Sequence, residues 1–202
     1  MTKIIGITGY KGSGKDTVAD YLCTKAFFSK VSFSEKLKDI VATLFDWDRR
    51  LLEGDSEFCR LFREDLDHKW SEKLGFNVTP RKMLQQVGTK LFRDNLHPDI
   101  WIYAMEKEID KHDAVIIPDV RFENEFKYIK SRGGCIISVE RDDIIPDDHE
   151  SEQIWKTCSH MIDYRIKNNK DLERLHKAVD TILEPMCKKL DITVFTSIIH
   201  GL

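Results

Sequence analysis

The stretch that most constrains this chain is Gly9-Tyr10-Lys11-Gly12-Ser13-Gly14-Lys15-Asp16-Thr17. It follows the short apolar run Ile4-Ile5-Gly6-Ile7 and precedes Val18, Leu22 and Ala26 at helical spacing. Gly9, Gly14 and Lys15 satisfy the pattern G-x-x-x-x-G-K. Placed between a strand and a helix, such a loop lets glycine backbone wrap closely around phosphate oxygens. The helix N-terminus offers free N–H groups to the anion, and Lys15 neutralises β/γ-phosphate charge. The strict pattern puts Ser or Thr after the lysine to reach Mg²⁺; here Asp16 stands there and Thr17 is next. Two readings stay open. Asp16 holds the metal, directly or through water, or Asp16 caps the helix while Thr17 works on phosphate.

Strand and helix patterns alternate along the rest of the chain. Val31-Ser32-Phe33 reads as a second, short strand, and Ser34 as the cap of a helix carrying Leu37, Ile40, Val41 and Leu44. Residues 46 to 78 are dense in charge and read as helical pieces with loops. Ala114–Ile117 is a buried-type strand stopped by Pro118-Asp119, and Phe122, Phe126 and Ile129 mark the helix after it. Gly133-Gly134 leads into a strand at Cys135–Val139. Ile162, Tyr164 and Ile166 alternate as a last strand, and Leu172, Leu175, Val179 and Leu183 give a closing helix. Continuous apolar strands alternating with helices imply a parallel sheet covered on both faces, with ligands at the carboxyl ends of its strands. Segments 9–17, 119–121, 141–153 and 167–169 all come directly after strands and are expected to meet on one edge.

Each of these segments carries residues suited to phosphate chemistry. Asp119 stands where an acid that orients hydrated Mg²⁺ belongs. Arg121, two residues on, points the same way on an extended chain and suits a phosphate; the plain alternative is a surface ion pair at a helix start. Thr79-Pro80 is a strong helix start. On that helix Met83, Leu84, Val87 and Leu91 fall on one side, and Arg81, Gln85, Thr89 and Arg93 on the other, beside Gly88 and Phe92. The second face offers a phosphate-binding arginine, a base-reading amide and a ring for stacking; otherwise it is an ordinary solvated face. Gly88 inside a helix costs about 1 kcal/mol relative to Ala, so something is expected to approach closely there. Arg141 opens a polar segment through His149-Glu150-Ser151-Glu152 whose length suits a lid that excludes water, although Arg141 is its only strong cation; a solvated loop is the alternative. Asn168-Asn169 either reads adenine through backbone groups or, at Asn169, caps the last helix.

Bulk properties fit a small-phosphate site better than a polymer-binding surface. The 202 residues carry a formal net charge of −3, so no basic excess points to nucleic acid. Five scattered cysteines without a C-x-x-C suit reduced thiols in a cytoplasmic compartment. No apolar run is long enough for a signal peptide or a membrane span.

Taken together, Gly9–Thr17 in its G-x-K-x-S-G-K-D-T form, Thr79–Thr89, Phe92-Arg93 through His97-Pro98-Asp99-Ile100-Trp101, and Asp119-Val120-Arg121 resemble the phage-type deoxynucleoside monophosphate kinases. The segment around His149–Glu152 adds to the likeness. The resemblance implies an α/β, three-layer P-loop fold with a parallel sheet of about five strands, in a core of residues 1–45 and 111–185. It also implies a helical acceptor-binding insertion at about 46–110 and a short lid at about 141–153. Further implied are ATP as donor, Mg²⁺, and a dNMP acceptor that becomes a dNDP. Gly9, Lys11, Gly12, Ser13, Gly14, Lys15, Asp16, Thr17 and Asn168 would hold ATP. Asp16, Thr17 and Asp119 would serve the metal. Arg81, Gln85, Gly88, Thr89, Phe92, Arg93 and Arg121 would bind the acceptor, and Lys15, Asp119, Arg121 and Arg141 would carry catalysis. Partners are then small nucleotides, with neither a nucleic-acid polymer nor a membrane; monomer or homodimer is open. The usual lid of this class carries several arginines, and the stretch after Pro185 has no counterpart in it. Two rivals share the phosphate loop: a dephospho-coenzyme A kinase or similar small-molecule kinase, and a nucleotide-gated switch.

Overall fold

The computed structural model describes residues 1–144 and 157–195. The chain divides into two units, one formed by Met1–Ser32 with Lys107–Leu202 and the other by Phe33–Glu106.

In the first unit, apolar runs become strands because both faces of the sheet are covered. β1 (Lys3–Thr8), β2 (Ser29–Lys30), β3 (Ala114–Ile117), β4 (Cys135–Glu140) and β5 (Tyr164–Lys167) form one sheet in the order β2-β3-β1-β4-β5. Every pairing is parallel. Ile5 and Ile7 pack with Val18, Ala19 and Leu22 of α1 (Lys15–Cys23) and with Leu175, Val179 and Leu183 of the closing helix. On the opposite face Gly6 lies under α7 (Glu123–Ser131), so close that a Cβ there would come 2.6 Å from Ile129 Cδ1. Each fully buried aliphatic side chain in these layers contributes about 1.5–3 kcal/mol.

One expectation for this unit needs correction. The second strand is Ser29–Lys30, not Val31–Phe33; its two residues pair with Val115 and Ile116, after which the chain leaves the sheet. The closing helix, α8 (Leu172–Leu190), runs on through Pro185. Pro185 is on the exposed side, where the carbonyl it leaves unbonded can be hydrated, while Met186, Cys187 and Leu190 continue the buried stripe. Beyond it the chain returns to the turn after α1, where Phe195 N donates to Lys25 O at 2.7 Å and Val194 bridges Ala26.

The second unit is helical: α2 (Glu35–Phe45), a 3₁₀ turn (Arg49–Leu52), α3 (Glu57–Glu64), α4 (His68–Leu74), α5 (Pro80–Gln85) and the start of α6 (Ile100–Ile109). Ser56, Asp67 and Thr79 cap α3, α4 and α5 by accepting from Cys59 N, Trp70 N and Lys82 N. Ser34 precedes α2 without a side-chain capping bond. The buried stripe of α2 is Leu37, Val41, Ala42 and Phe45, with Ile40 and Leu44 exposed. Phe45 wins the inward position because Trp47 stacks on it at 4.5 Å and Trp70 meets it at 4.9 Å. Much of the charge between 46 and 78 serves as cross-links: Arg49 pairs with Glu35, Asp39 and Glu53, and Lys38 with Glu53.

The largest departure from helical periodicity comes after α5. Gln86–Arg93 forms a π-helical segment, with i→i+5 bonds from Asp94 N to Thr89 O at 2.9 Å and from His97 N to Phe92 O at 3.0 Å. An α-helical register would bury Leu91. In the wider turn Val87 stays buried, Leu91 is 59% exposed, and Gly88 and Thr89 are buried instead.

Candidate active site

Parallel pairing brings the segments after the strands to one edge of the first unit. Residues 9–14 come after β1, 118–122 after β3, 141–144 after β4, and 168–171 after β5. Gly9, at φ 135°, sits so close to β4 that a Cβ would meet Val139 O at 2.2 Å. Gly14, at φ 100°, leads into Lys15, and a Cβ there would meet Asn168 Nδ2 at 2.5 Å. Asn168 Nδ2 donates to Ser13 O at 2.8 Å, so the β5–α8 loop braces the phosphate loop from behind. Asn169 is not the helix cap: Asp171 accepts from Arg174 N and fills that place. Asn169 instead grips the chain leaving β4, accepting from Asp142 N at 2.9 Å and donating to Asp142 Oδ2 at 2.6 Å.

Lys15 starts α1 with its side chain folded back into the loop, where Nζ donates to Gly9 O at 2.8 Å and Tyr10 O at 2.6 Å. Burial pushes its pKa from 10.5 down to about 7, the Arg121 guanidinium adds to the effect, and Asp16 and Asp119 oppose it. Arg121, Asp16 and Asp119 thus each lie within electrostatic reach of Lys15, on the edge where the strand-end argument expects them. Asp119 Oδ2 accepts from Ser32 Oγ at 2.7 Å. Glu125, itself buried, caps the start of α7 by accepting from Arg121 N at 2.7 Å and Phe122 N at 3.0 Å, which fixes the backbone carrying Arg121. Asp16 pairs with Lys30 of β2 at 3.2 Å, and Lys30 also holds Asp20 at 2.9 Å. Lys11 and Gly12 of the loop and Thr17 of α1 are exposed.

The loop fits a phosphate. Ser13 Oγ is buried with no hydrogen-bond partner, and the glycine cradle leaves no room for side chains at Gly9 and Gly14. Among the described residues no three His, Cys, Asp or Glu side chains cluster as a metal site. Mg²⁺ in phosphoryl-transfer enzymes is commonly held by one or two carboxylates plus substrate phosphates, and Asp119 and Asp16 beside the phosphate loop suit that arrangement. Arg141 is bound bidentately by Asp143, at 2.8 and 3.0 Å, and the remainder of the expected lid, 145–153 with His149, lies outside the described residues.

The expected acceptor residues belong to the second unit, apart from Arg121. Arg81 is mostly buried and its Nε donates to Glu64 Oε1. Arg93 Nη1 donates to Pro98 O at 3.0 Å. Phe92 packs on Trp101 with ring centroids 5.1 Å apart. Gln85 is half-buried and Thr89 buried. Gly88 needs a different account from the one its sequence position suggests: what approaches it is protein, since a Cβ would lie 2.7 Å from Leu37 Cδ2. Sequence reasoning passed over Ser32, Lys30, Glu125 and Trp101. Ser32 reads in sequence as part of the strand and lies instead just after it, so the strand-end argument does not reach it; the other three hold Asp16, Arg121 and Gly88, which motifs mark, but no motif shows what holds them.

A glycine loop with room only for backbone at Gly9 and Gly14, on a parallel five-stranded sheet with a buried lysine near two acids and an arginine, marks a P-loop kinase. Comparison with known proteins narrows the class. The deoxynucleotide monophosphate kinase family matches residues 65–179. A protein of Acanthamoeba polyphaga mimivirus, provisionally named a deoxynucleotide monophosphate kinase, is 34% identical over 189 residues, covering 87% of this chain and 93% of its own. The deoxynucleoside-5'-monophosphate kinase of Escherichia phage T5 is 27% identical over 249 residues, covering 92% and 99%. Among solved structures, the dephospho-CoA kinase from Campylobacter jejuni superposes with a TM-score of 0.52 at 16% identity, over 93% of this chain and 98% of its own, a likeness of fold. The chain belongs to the deoxynucleotide monophosphate kinase family. No helix among the described residues is long and apolar enough to cross a membrane.

Proposed function

We propose that this chain transfers the terminal phosphoryl group of ATP to deoxynucleoside monophosphates, with Mg²⁺, and that the phosphate loop around Lys15 holds the donor. The observation that carries the reading is the gathering of Lys15, Asp16, Asp119 and Arg121 at one sheet edge. An oxygen of the acceptor's phosphate attacks the γ-phosphorus in line. The bond to the β–γ bridging oxygen breaks, and its electron pair leaves with ADP. The attacking group is already an anion, so no general base is required, and catalysis is positioning and charge neutralisation.

Lys15 turns from its own carbonyls toward phosphate oxygens, whose charge favours its ammonium form. Arg121, fixed by the Glu125 cap, neutralises the transferring group. Asp119, steadied by Ser32, and Asp16 or Thr17 would hold Mg²⁺, which would supply charge neutralisation for the transfer. Asn168 acts by bracing the loop at Ser13. On the second unit, Arg81 and Arg93 would bind the acceptor phosphate, with Gln85 and Phe92 near its base, and Arg141 is freed from Asp143 when phosphate competes for it. An ADP-release assay across the four dNMPs, the four NMPs and dephospho-coenzyme A tests the reading. Turnover with at least one dNMP and none with dephospho-coenzyme A is expected; turnover confined to dephospho-coenzyme A, or nucleotide binding without turnover, overturns it.

A further inference from the structure

The π-helical segment Gln86–Arg93 carries Thr89, Phe92 and Arg93, and its register is held from two sides. On one side Gly88 seats against Leu37 of α2, with no space for a side chain. On the other, Trp101 of α6, 4% exposed, donates its indole N–H to Gly88 O at 3.0 Å. The same indole ring packs on Phe92. One tryptophan therefore fixes both the carbonyl at the segment's start and an aromatic ring near its end. Wide turns of this kind cost helix geometry and concentrate at functional sites. Here the turn decides which side chains face outward, since it places Leu91 outside and Thr89 inside.

We infer that Trp101 is a positioning residue for acceptor binding: through Gly88 O and Phe92 it holds the wide turn in the register that presents Phe92 and Arg93 to the nucleotide. The inference rests on the reading of the Arg81–Arg93 face as the acceptor site. Gly88 then serves the site by packing, not by touching the ligand.

Trp101→Phe keeps a ring against Phe92 and deletes the donor. In the full chain the KM for dNMP should rise about tenfold, the factor expected from losing one buried hydrogen bond. The KM for ATP and the turnover at saturation should stay within about twofold, the pattern of lost binding rather than lost chemistry. The indole N–H resonance that disappears in Trp101→Phe should, in the native chain, shift on adding dNMP and stay in place on adding ADP. An unchanged KM for dNMP overturns the inference, and so does an equal loss for both substrates with a lowered Tm, which marks general loosening. Should Trp101→Phe fail to fold, Gly88→Ala gives a second route. Its dNMP defect should be relieved by adding Leu37→Ala, which clears the space; a defect that persists in the double variant marks a glycine that meets the nucleotide and overturns the inference. Gln85→Ala and Arg93→Ala check the underlying reading separately. If both leave dNMP use unchanged, the acceptor-face assignment fails whatever Trp101→Phe does.

Discussion

The phosphate loop and the helix after Thr79 both depend on glycine, and for opposite reasons. Gly9 and Gly14 hold φ of 135° and 100°, conformations that side chains resist, so the backbone itself becomes the binding surface. Gly88 lies in a helical segment and is small because Leu37 occupies the space beside it. The first region offers main-chain groups locked by a parallel sheet; the second presents side chains from a helix whose register depends on tertiary partners. A site of the first kind is written in local sequence, whereas one of the second kind is set by residues far along the chain.

The contrast can be broken most sharply at Lys15. Lys15→Ala should lower turnover about a thousandfold, the scale of removing a preorganised group that meets developing charge. It should not lower Tm, because burial already works against the Lys15 charge, with its pKa near 7. Turnover near the native level would end the central role of the loop, and an unfolded variant would mean that the loop is structural first. On the second unit Arg81→Ala should raise the KM for dNMP about tenfold or more, since a charge-assisted bond contributes roughly 1.5–3 kcal/mol. ATP affinity should hold. Loss of ATP affinity with dNMP affinity intact would reverse the division of labour between the two regions.

The same division explains how much the sequence disclosed. β1, β3 and β4 were legible because buried parallel strands are continuous apolar runs, and G-x-x-x-x-G-K defined the loop after the first of them. Parallel order then placed Asp119, Arg121 and Asn168 on the same edge as Lys15. The role of Asn168 as a brace for Ser13 was not legible, because a side chain bonded to a backbone carbonyl 155 residues away leaves no local trace. Leu91 failed as a core residue for a related reason. A π turn is made when partners such as Leu37 and Trp101 stabilise it, and periodicity at 3.6 residues describes only a helix left to itself. The pattern read for the closing helix reaches only Leu183, and Met186, Cys187 and Leu190 carry it on past an exposed Pro185.

The smallest effect is expected at the opposite edge of the sheet, where side chains, not backbone, hold the structure and no chemistry is assigned. Asp163 precedes β5 and accepts from Ile136 N at 2.8 Å, from Lys130 Nζ at 2.9 Å and from Lys189 Nζ at 2.7 Å. Burial works to raise its pKa, but Lys189, Lys130 and the Ile136 N–H overcome it and hold the carboxyl below its usual 3.8. Between the folded and unfolded values the unfolded chain binds more protons, so the stabilisation is complete above about 3.8 and fades as pH falls through the folded value. Asp163→Asn should therefore cost about 1–2 kcal/mol at pH 7, a modest sum because Lys189 is half in solvent. That corresponds to a Tm lower by a few degrees, roughly 2–4 °C per kcal/mol for a chain of this size. The difference from the native chain should shrink in acid, where the native carboxylate is itself neutralised. Turnover at 25 °C should not change. A fall in turnover without a fall in Tm would mean that the two edges of the sheet are coupled, and that the phosphate loop is tuned by more than the glycines and the lysine within it.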